Sequence, residues 1–438
     1  MAKKIYIFLF FVVCLVPFAT TFTQGFLPSD EEITPFASQV ALKDAANNIN
    51  VNYLSDVSAW FDDNHGLKKP MISVYNKIVA MVFGESAEEN VILGKDGWMF
   101  YSETLDDYEG RNTMSDGEIR AAVRTIELMN EYVVSNSMDF VFLIAPNKNS
   151  LYPEMMPGYY PRSEGISDAR KILVELDKSD IKHIDLFDKL RDEDKPLYLK
   201  TDSHWNSRGA ALAADSIINA VSGKEGKFYS GFKGKYKRIE GDLYKMIYPS
   251  FKNREKQLSY KGTLNFRYQT PIRSPEDITI KTRCHGKSGS LFMFRDSFGN
   301  SLYPYLAESY GKCVFSRINP YNLTLAVNEE TDAVVIELVE RNLDWLLTKP
   351  PVFPSPVRKE NTDALTSAGA TLEIYTADEL MGYKKVKGVL KNRKTPQNPA
   401  VYIFAEDKLY EAIPTGENTF VAYIPENVSM DGPMVYVK

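Results

Sequence analysis

A chain of 438 residues with 44% hydrophobic and 25% charged residues has room for one large domain with appendages or for two or three domains. That balance excludes a disordered or fibrous protein. A formal net charge of −6 provides no field toward nucleic acid or anionic lipid, so a nucleic-acid partner is not expected.

The N-terminus opens with Lys3-Lys4 and an apolar run from Ile5 to Ala19, the pattern of an export signal. Pro17-Phe18-Ala19-Thr20 is a weak cleavage site, so residues 1–26 are expected to remain as an uncleaved membrane anchor. The body of the protein is then extracytoplasmic, in the periplasm or at the cell surface. Residues 27–58 read as a stem. From Trp60 to Phe83 the apolar spacing is helical, and His65 sits in a capping-like turn with a structural role. Val91 to Tyr101, with Gly94-Lys95-Asp96-Gly97 at its centre, reads as a hairpin that buries Trp98 and Phe100.

Ser115 and Glu118 have the spacing of a capping box and open a helix. Asp139 to Ile144 is a strand apolar on both faces, as in a covered parallel sheet. It runs into the loop that carries Lys148, a candidate substrate contact, because sites form beyond the carboxyl ends of such strands. A helix near 165–178, a strand from Lys182 to Phe187, the Asp202/His204 loop and a helix from Ser207 to Val221 follow. This alternation predicts an α/β fold with a mostly parallel sheet. Residues 223–282, rich in Gly, Lys and Tyr, read as an insertion, either a basic aromatic flap over a site or a solvated excursion. Ser290 to Phe294 resumes the sheet and delivers Ser297, and further strands are expected at Cys313 to Ser316 and Ala333 to Leu338. A Pro-rich run at 350–356 marks a boundary, with 351–383 as linker and flanking segment and 384–438 as a small β appendage.

A serine hydroxyl needs a base within hydrogen-bond reach and a carboxylate to orient that base. Asp202, His204 and Ser297 supply those roles, with Asp202 two residues from His204 in an extended segment. The first oxyanion donor is expected among the backbone amides that follow Ser297. No G-x-S-x-G elbow is present. Three cysteines are too few for a disulfide scaffold; Cys284 and Cys313 fit a bridge or two buried thiols equally. Without CxxC, HExxH or clustered Cys and His, no metal is expected, and the chemistry requires no cofactor.

The motifs Gly94-Lys95-Asp96-Gly97-Trp98, Ala145-Pro146-Asn147-Lys148, Thr201-Asp202-Ser203-His204-Trp205, Arg295-Asp296-Ser297-Phe298-Gly299 and Val334 to Arg341 occur in this order. Together they resemble the SGNH-hydrolase-like family of alginate O-acetyltransferases and the related bacterial DHHW proteins, over roughly residues 55–350. The resemblance implies a three-layer SGNH-hydrolase-like fold for 59–350. It also implies an extracytoplasmic acetyltransferase that works on a polysaccharide acceptor beside a multispanning membrane acyl-transfer protein. It carries the catalytic roles over to Asp202, His204 and Ser297, brings Tyr303 toward an acyl pocket, and leaves Glu340-Arg341 structural. The expected activity is O-acetyl transfer to polysaccharide hydroxyls. An acetylesterase with the same triad and a catalytically silent polysaccharide-binding or assembly protein are the alternatives.

Overall fold

The computed structural model describes residues 2–23, 40–43, 47–191, 195–231, 234–253, 255–260, 264–360, 362–391 and 400–438. Its centre is a seven-stranded mixed sheet. The strand order is His183–Ile184, Asp139–Ala145, Ala333–Val339, Ser290–Phe294, Lys312–Ser316, Thr279–Arg283, Arg267–Tyr268. The first five strands run parallel and the last two join antiparallel at one edge. Residues Ala333 to Val339 are all buried, as are Phe140 to Ala145, which requires cover on both faces. The helix Asp116–Ser135 packs on Asp139–Ala145 with Asp168–Leu176 beside it. The helix Ser207–Ser222 packs on Asp139–Ala145 and His183–Ile184, with Gly299–Ser309 alongside.

Local chemistry explains where these helices begin. Ser115 and Glu118 form the reciprocal capping box, which satisfies two amides that a helix start leaves unpaired. The Asn206 side chain accepts from the amides of Arg208 and Gly209 and opens the next helix. Gly209 is required there, because a Cβ would stand 2.6 Å from the Leu197 carbonyl oxygen.

Other expectations change. The N-terminal run does form a helix, Ala2–Thr23, but among the described residues no helix is long and apolar enough to cross a membrane. Half of the expected stem, 27–39 and 44–46, lies outside the described residues, and its last residues enter the helix Tyr53–Asn64. His65 caps the helix Tyr53–Asn64 and stacks on Phe61. Thr279–Arg283 and Arg267–Tyr268, read as part of an insertion, are the last two strands on one side of the central sheet. Their short, half-exposed alternation lacks the apolar run that marks an interior strand.

The segment expected as a linker supplies strands. Val357–Arg358, Thr366–Ala368 and Ala370–Thr376 join Tyr383–Leu390, Val401–Ala405, Lys408–Pro414, Thr419–Pro425 and Met434–Val437 in an antiparallel eight-stranded sheet. Side chains alternate along its central strands. Tyr410, Ala412, Phe420, Ala422 and Ile424 fill this sheet's own core, while Ile413, Val421 and Tyr423 enter the main core. Cys284 and Cys313 are free, buried thiols.

Candidate active site

The strand Ser290–Phe294 ends at Arg295, and the turn that follows is tied down residue by residue. The Asp296 amide donates to Glu337 Oε2 at 3.0 Å. The Asp296 carboxylate accepts from the Phe298 amide and from the Val339 amide, both at 2.8 Å. Ser297 is thereby held at the carboxyl ends of neighbouring parallel strands, where open α/β sheets place their sites. The Phe298 amide, one of the expected oxyanion donors, is committed to Asp296.

Across from this turn, residues 197–206 fold back on themselves. Leu199 donates to the His204 carbonyl at 3.2 Å and Asn206 to the Leu197 carbonyl at 2.7 Å. The tip is a turn rather than an extended strand. Asp202 Oδ1 accepts the His204 amide at 3.0 Å and also faces Nδ1 of the same residue at 2.8 Å. The other ring nitrogen, Nε2, lies 2.8 Å from Ser297 Oγ. The structure thus brings Asp202, His204 and Ser297 into one hydrogen-bonded line. Phe298 packs against the imidazole at 4.9 Å and edge-on to Trp205 at 5.0 Å. The Trp205 indole nitrogen in turn donates to the Phe298 carbonyl and the Ser301 hydroxyl.

Two carboxylates absent from the sequence reading complete the site, both from the excursion after Gly223. Glu255, on the hairpin formed by Gly234–Ile239 and Glu255–Tyr260, accepts from the amides of Lys200 and Thr201 and from the Thr201 hydroxyl, at 2.8 to 3.0 Å. Asp242 opens the helix Asp242–Ile247. It accepts from the Ser203 amide at 2.7 Å and hydroxyl at 2.5 Å, and its Oδ2 lies 3.5 Å from His204 Nδ1. Its own amide donates to Asp202 Oδ2 at 3.1 Å. Gly241 permits this approach, since a Cβ there would meet the Thr201 carbonyl oxygen at 2.0 Å. Neither acid belongs to a periodic pattern; the Gly241-Asp242 pair is the one sequence signal, as a close-approach glycine ahead of an acid that starts a helix.

The electrostatics follow from these contacts. Burial alone would depress the His204 pKa, but hydrogen bonds and charges from Asp202 and Asp242 outweigh it and raise it to about 9. For Asp242, partial burial pushes upward, while His204 and Ser203 pull its pKa down to about 2. Asp202, His204 and Asp242 present ligand-type atoms within 4.8 Å of one another. Those atoms also take part in the hydrogen bonds and close contacts just described, which orient the imidazole.

Lys148 and Tyr303 stand elsewhere than expected. Lys148 is 4% exposed, and its ammonium donates to the carbonyls of Leu199, Lys200 and Asp202 at 2.7, 2.9 and 2.8 Å. These three bonds tie the lysine to the loop that carries His204. Burial lowers its pKa to about 7 against the upward pull of Asp202, Glu255 and Asp242. Tyr303 is 3% exposed; its hydroxyl meets Tyr268 at 2.8 Å and its ring packs on Phe315, which places it in the core. Glu340 is buried and accepts the Asn147 amide at 2.7 Å. Arg341 reaches over the rings of Tyr101 and Phe298, at 5.5 and 5.9 Å, and so borders the site.

Residues 91–275 match the family model described as SGNH hydrolase-like domain, acetyltransferase AlgX, a stretch that includes Asp202, His204 and Asp242 and ends before Ser297. A probable alginate O-acetylase AlgJ of Pseudomonas syringae pv. tomato is 24% identical over 180 residues, which is 40% of this chain and 44% of that protein. The chain thus spans less than half the length of that curated relative. Among solved structures, a DHHW family protein from Eubacterium siraeum aligns with 58% of this chain and 91% of its own, at 16% identity and a TM-score of 0.43. The O-acetyltransferase domain of Pseudomonas putida AlgJ aligns with 58% of this chain and 92% of its own, at 16% identity and a TM-score of 0.40. The resemblance to alginate O-acetyltransferases read from the motifs is borne out by the family-model match and the curated relative.

Proposed function

We propose that this protein is a serine-dependent O-acetyltransferase that transfers an acetyl group to hydroxyls of an exported or cell-surface polysaccharide. The observation that carries the reading is the 2.8 Å approach of His204 Nε2 to Ser297 Oγ, with Asp202 at 2.8 Å behind the ring. Alginate O-acetylation is the activity in the name of the curated relative, a probable alginate O-acetylase.

In this reading neutral His204 takes the Ser297 proton as Oγ attacks the acetyl carbonyl. The bond to the donor's leaving group breaks, that group leaves with the proton from Nε2, and acetyl-Ser297 remains. A sugar hydroxyl then gives its proton to His204 and attacks the acetyl carbon. The bond to Oγ breaks, and the proton returns to Ser297. Asp202 fixes the Nδ1–H tautomer and balances the imidazolium charge in both halves. The acetyl donor is an activated acetyl carrier, delivered by the multispanning acyl-transfer partner that the family resemblance implies. Lys3-Lys4 and the apolar run behind them support an extracytoplasmic site of action.

The test is turnover of a chromogenic acetyl ester by the purified protein, with and without oligosaccharide acceptors. O-acetylated sugar is the expected product. Free acetate alone, unchanged by acceptor, would make the protein an acetylesterase; sugar binding without turnover would make it a binding protein. Ser297→Ala should lower turnover by a factor on the order of 10⁴ to 10⁶. Unchanged turnover in that variant rules out the mechanism.

A further inference from the structure

His204 has an acid on its Nδ1 side beyond the one that a serine–histidine pair requires. We infer that Asp242 is a positioning residue for this reaction: a second carboxylate that stabilises the protonated imidazole and so sets the pH range in which Ser297 is activated. The inference rests on the reading of His204 as the base.

The geometry is built for that contact. Asp242 Oδ2 lies 3.5 Å from Nδ1 and takes the Ser203 hydroxyl proton at 2.5 Å, while the Ser203 oxygen stands 3.1 Å from the same ring nitrogen. The Asp242 carboxylate is therefore coupled to the ring both directly and through Ser203. Its position is fixed independently of the ring, by the amides of Ser203 and Leu243 on Oδ1 and by its own amide on Asp202. With no room for a Cβ at Gly241, the chain is pressed against the Thr201 carbonyl just before the acid. A solvated surface aspartate has no need of such a close approach.

The groups facing the imidazole leave the balance negative. Asp202 and Ser203 come from its own loop, and Asp242 from the helix Asp242–Ile247. Ser297 and Phe298 come from the nucleophile turn, with Arg341 on the Phe298 ring and Tyr101 beneath Arg341. Lys148 lies under the loop on the carbonyls, and Glu255 holds the loop amides. Two carboxylates thus meet the ring directly, while the cations reach it only through intervening groups.

The test uses the full chain labelled with nitrogen-15 histidine, with the His204 signals assigned by their loss in His204→Gln. The wild-type ring should titrate well above the ordinary 6.5. In Asp242→Asn, which keeps an oxygen for the Ser203 and Leu243 amides, the midpoint should fall by roughly 1–3 pH units, and Asp242→Glu should restore it. In parallel, the rising, acid-side limb of kcat/KM for an acetyl ester should move to lower pH by the same amount in Asp242→Asn. Asp202→Asn should instead depress the plateau itself. A wild-type midpoint at or below 6.5 overturns the inference without any variant. So does an Asp242→Asn midpoint equal to wild type. A shifted midpoint in a protein with no ester turnover upholds the pairing and sinks the proposed function, so the two failures are distinguishable.

Discussion

The imidazole of His204 faces opposing demands: as a base it must be neutral, yet two carboxylates favour its cation. With a pKa of about 9, most molecules at neutral pH hold it protonated, so kcat/KM should climb between pH 7 and 9 and level off above. The stability linkage has the opposite slope. A group raised above its ordinary 6.5 contributes stability fully below that value and loses it as pH rises through about 9. Asp242, depressed from 3.8 to about 2, contributes above 3.8 and loses that contribution as pH falls through 2. Thermal scans from pH 5 to 10 should therefore show Tm falling over the interval in which activity rises, and a Tm that rises toward pH 10 contradicts the assignment. At this scale the sequence was readable where a role is local. Asp202 and His204 are two residues apart and announce each other, and Ser297 follows a strongly apolar strand. Asp242 reaches the ring only through a fold-back of some 40 residues that carries no periodicity. Lys148 was placed at the correct end of its strand, but residue type and position do not say which way a lysine turns, and here it turns inward.

The loop from Leu197 to Asn206 is clamped from two sides, its carbonyls by Lys148 and its amides by Glu255 and Asp242. It contributes little apolar packing at its tip, so polar contacts decide its shape. Lys148→Met should leave three carbonyls without their buried donor, at about 1–3 kcal/mol for each one that water cannot reach. We expect a lowered Tm together with a fall in kcat larger than any change in KM, because the loop that aims His204 loses its support. Gly241→Ala should act similarly from the opposite side, since the added methyl displaces the segment bearing Asp242. If kcat stays at the wild-type level in both variants, the clamp is unrelated to turnover. Helices and interior strands were legible because burial imposes a period, as in the all-apolar Ala333 to Leu338 apart from Glu337. The hairpin bearing Glu255 was not: Gly234–Ile239 is largely exposed and is held to Glu255–Tyr260 by backbone pairing.

On the scale of the whole molecule, the eight-stranded sheet and the central α/β layer meet around one buried acid. Glu411 is fully buried and pairs with Arg124 at 2.7 Å, from the helix Asp116–Ser135, and with Arg358 at 2.5 Å. Glu131 closes the ring through both arginines. Glu411→Ala would leave two guanidinium groups facing each other, and breaking such a pair costs roughly 3–5 kcal/mol, toward the lower figure here because the arginines keep some contact with water. Denaturant titration should show the midpoint falling with that variant; an unmoved midpoint would mean that the apolar seam alone joins the sheets. The seam escaped the sequence because its strands read as short alternating pieces after a Pro-rich run, which is also how an independent module looks. With Ile413, Val421 and Tyr423 in the same hydrophobic cluster as the central sheet, neither half owns a complete interior. A protease that nicks the chain near residue 350 should therefore release no survivor, and calorimetry should record a single heat-absorption peak instead of two.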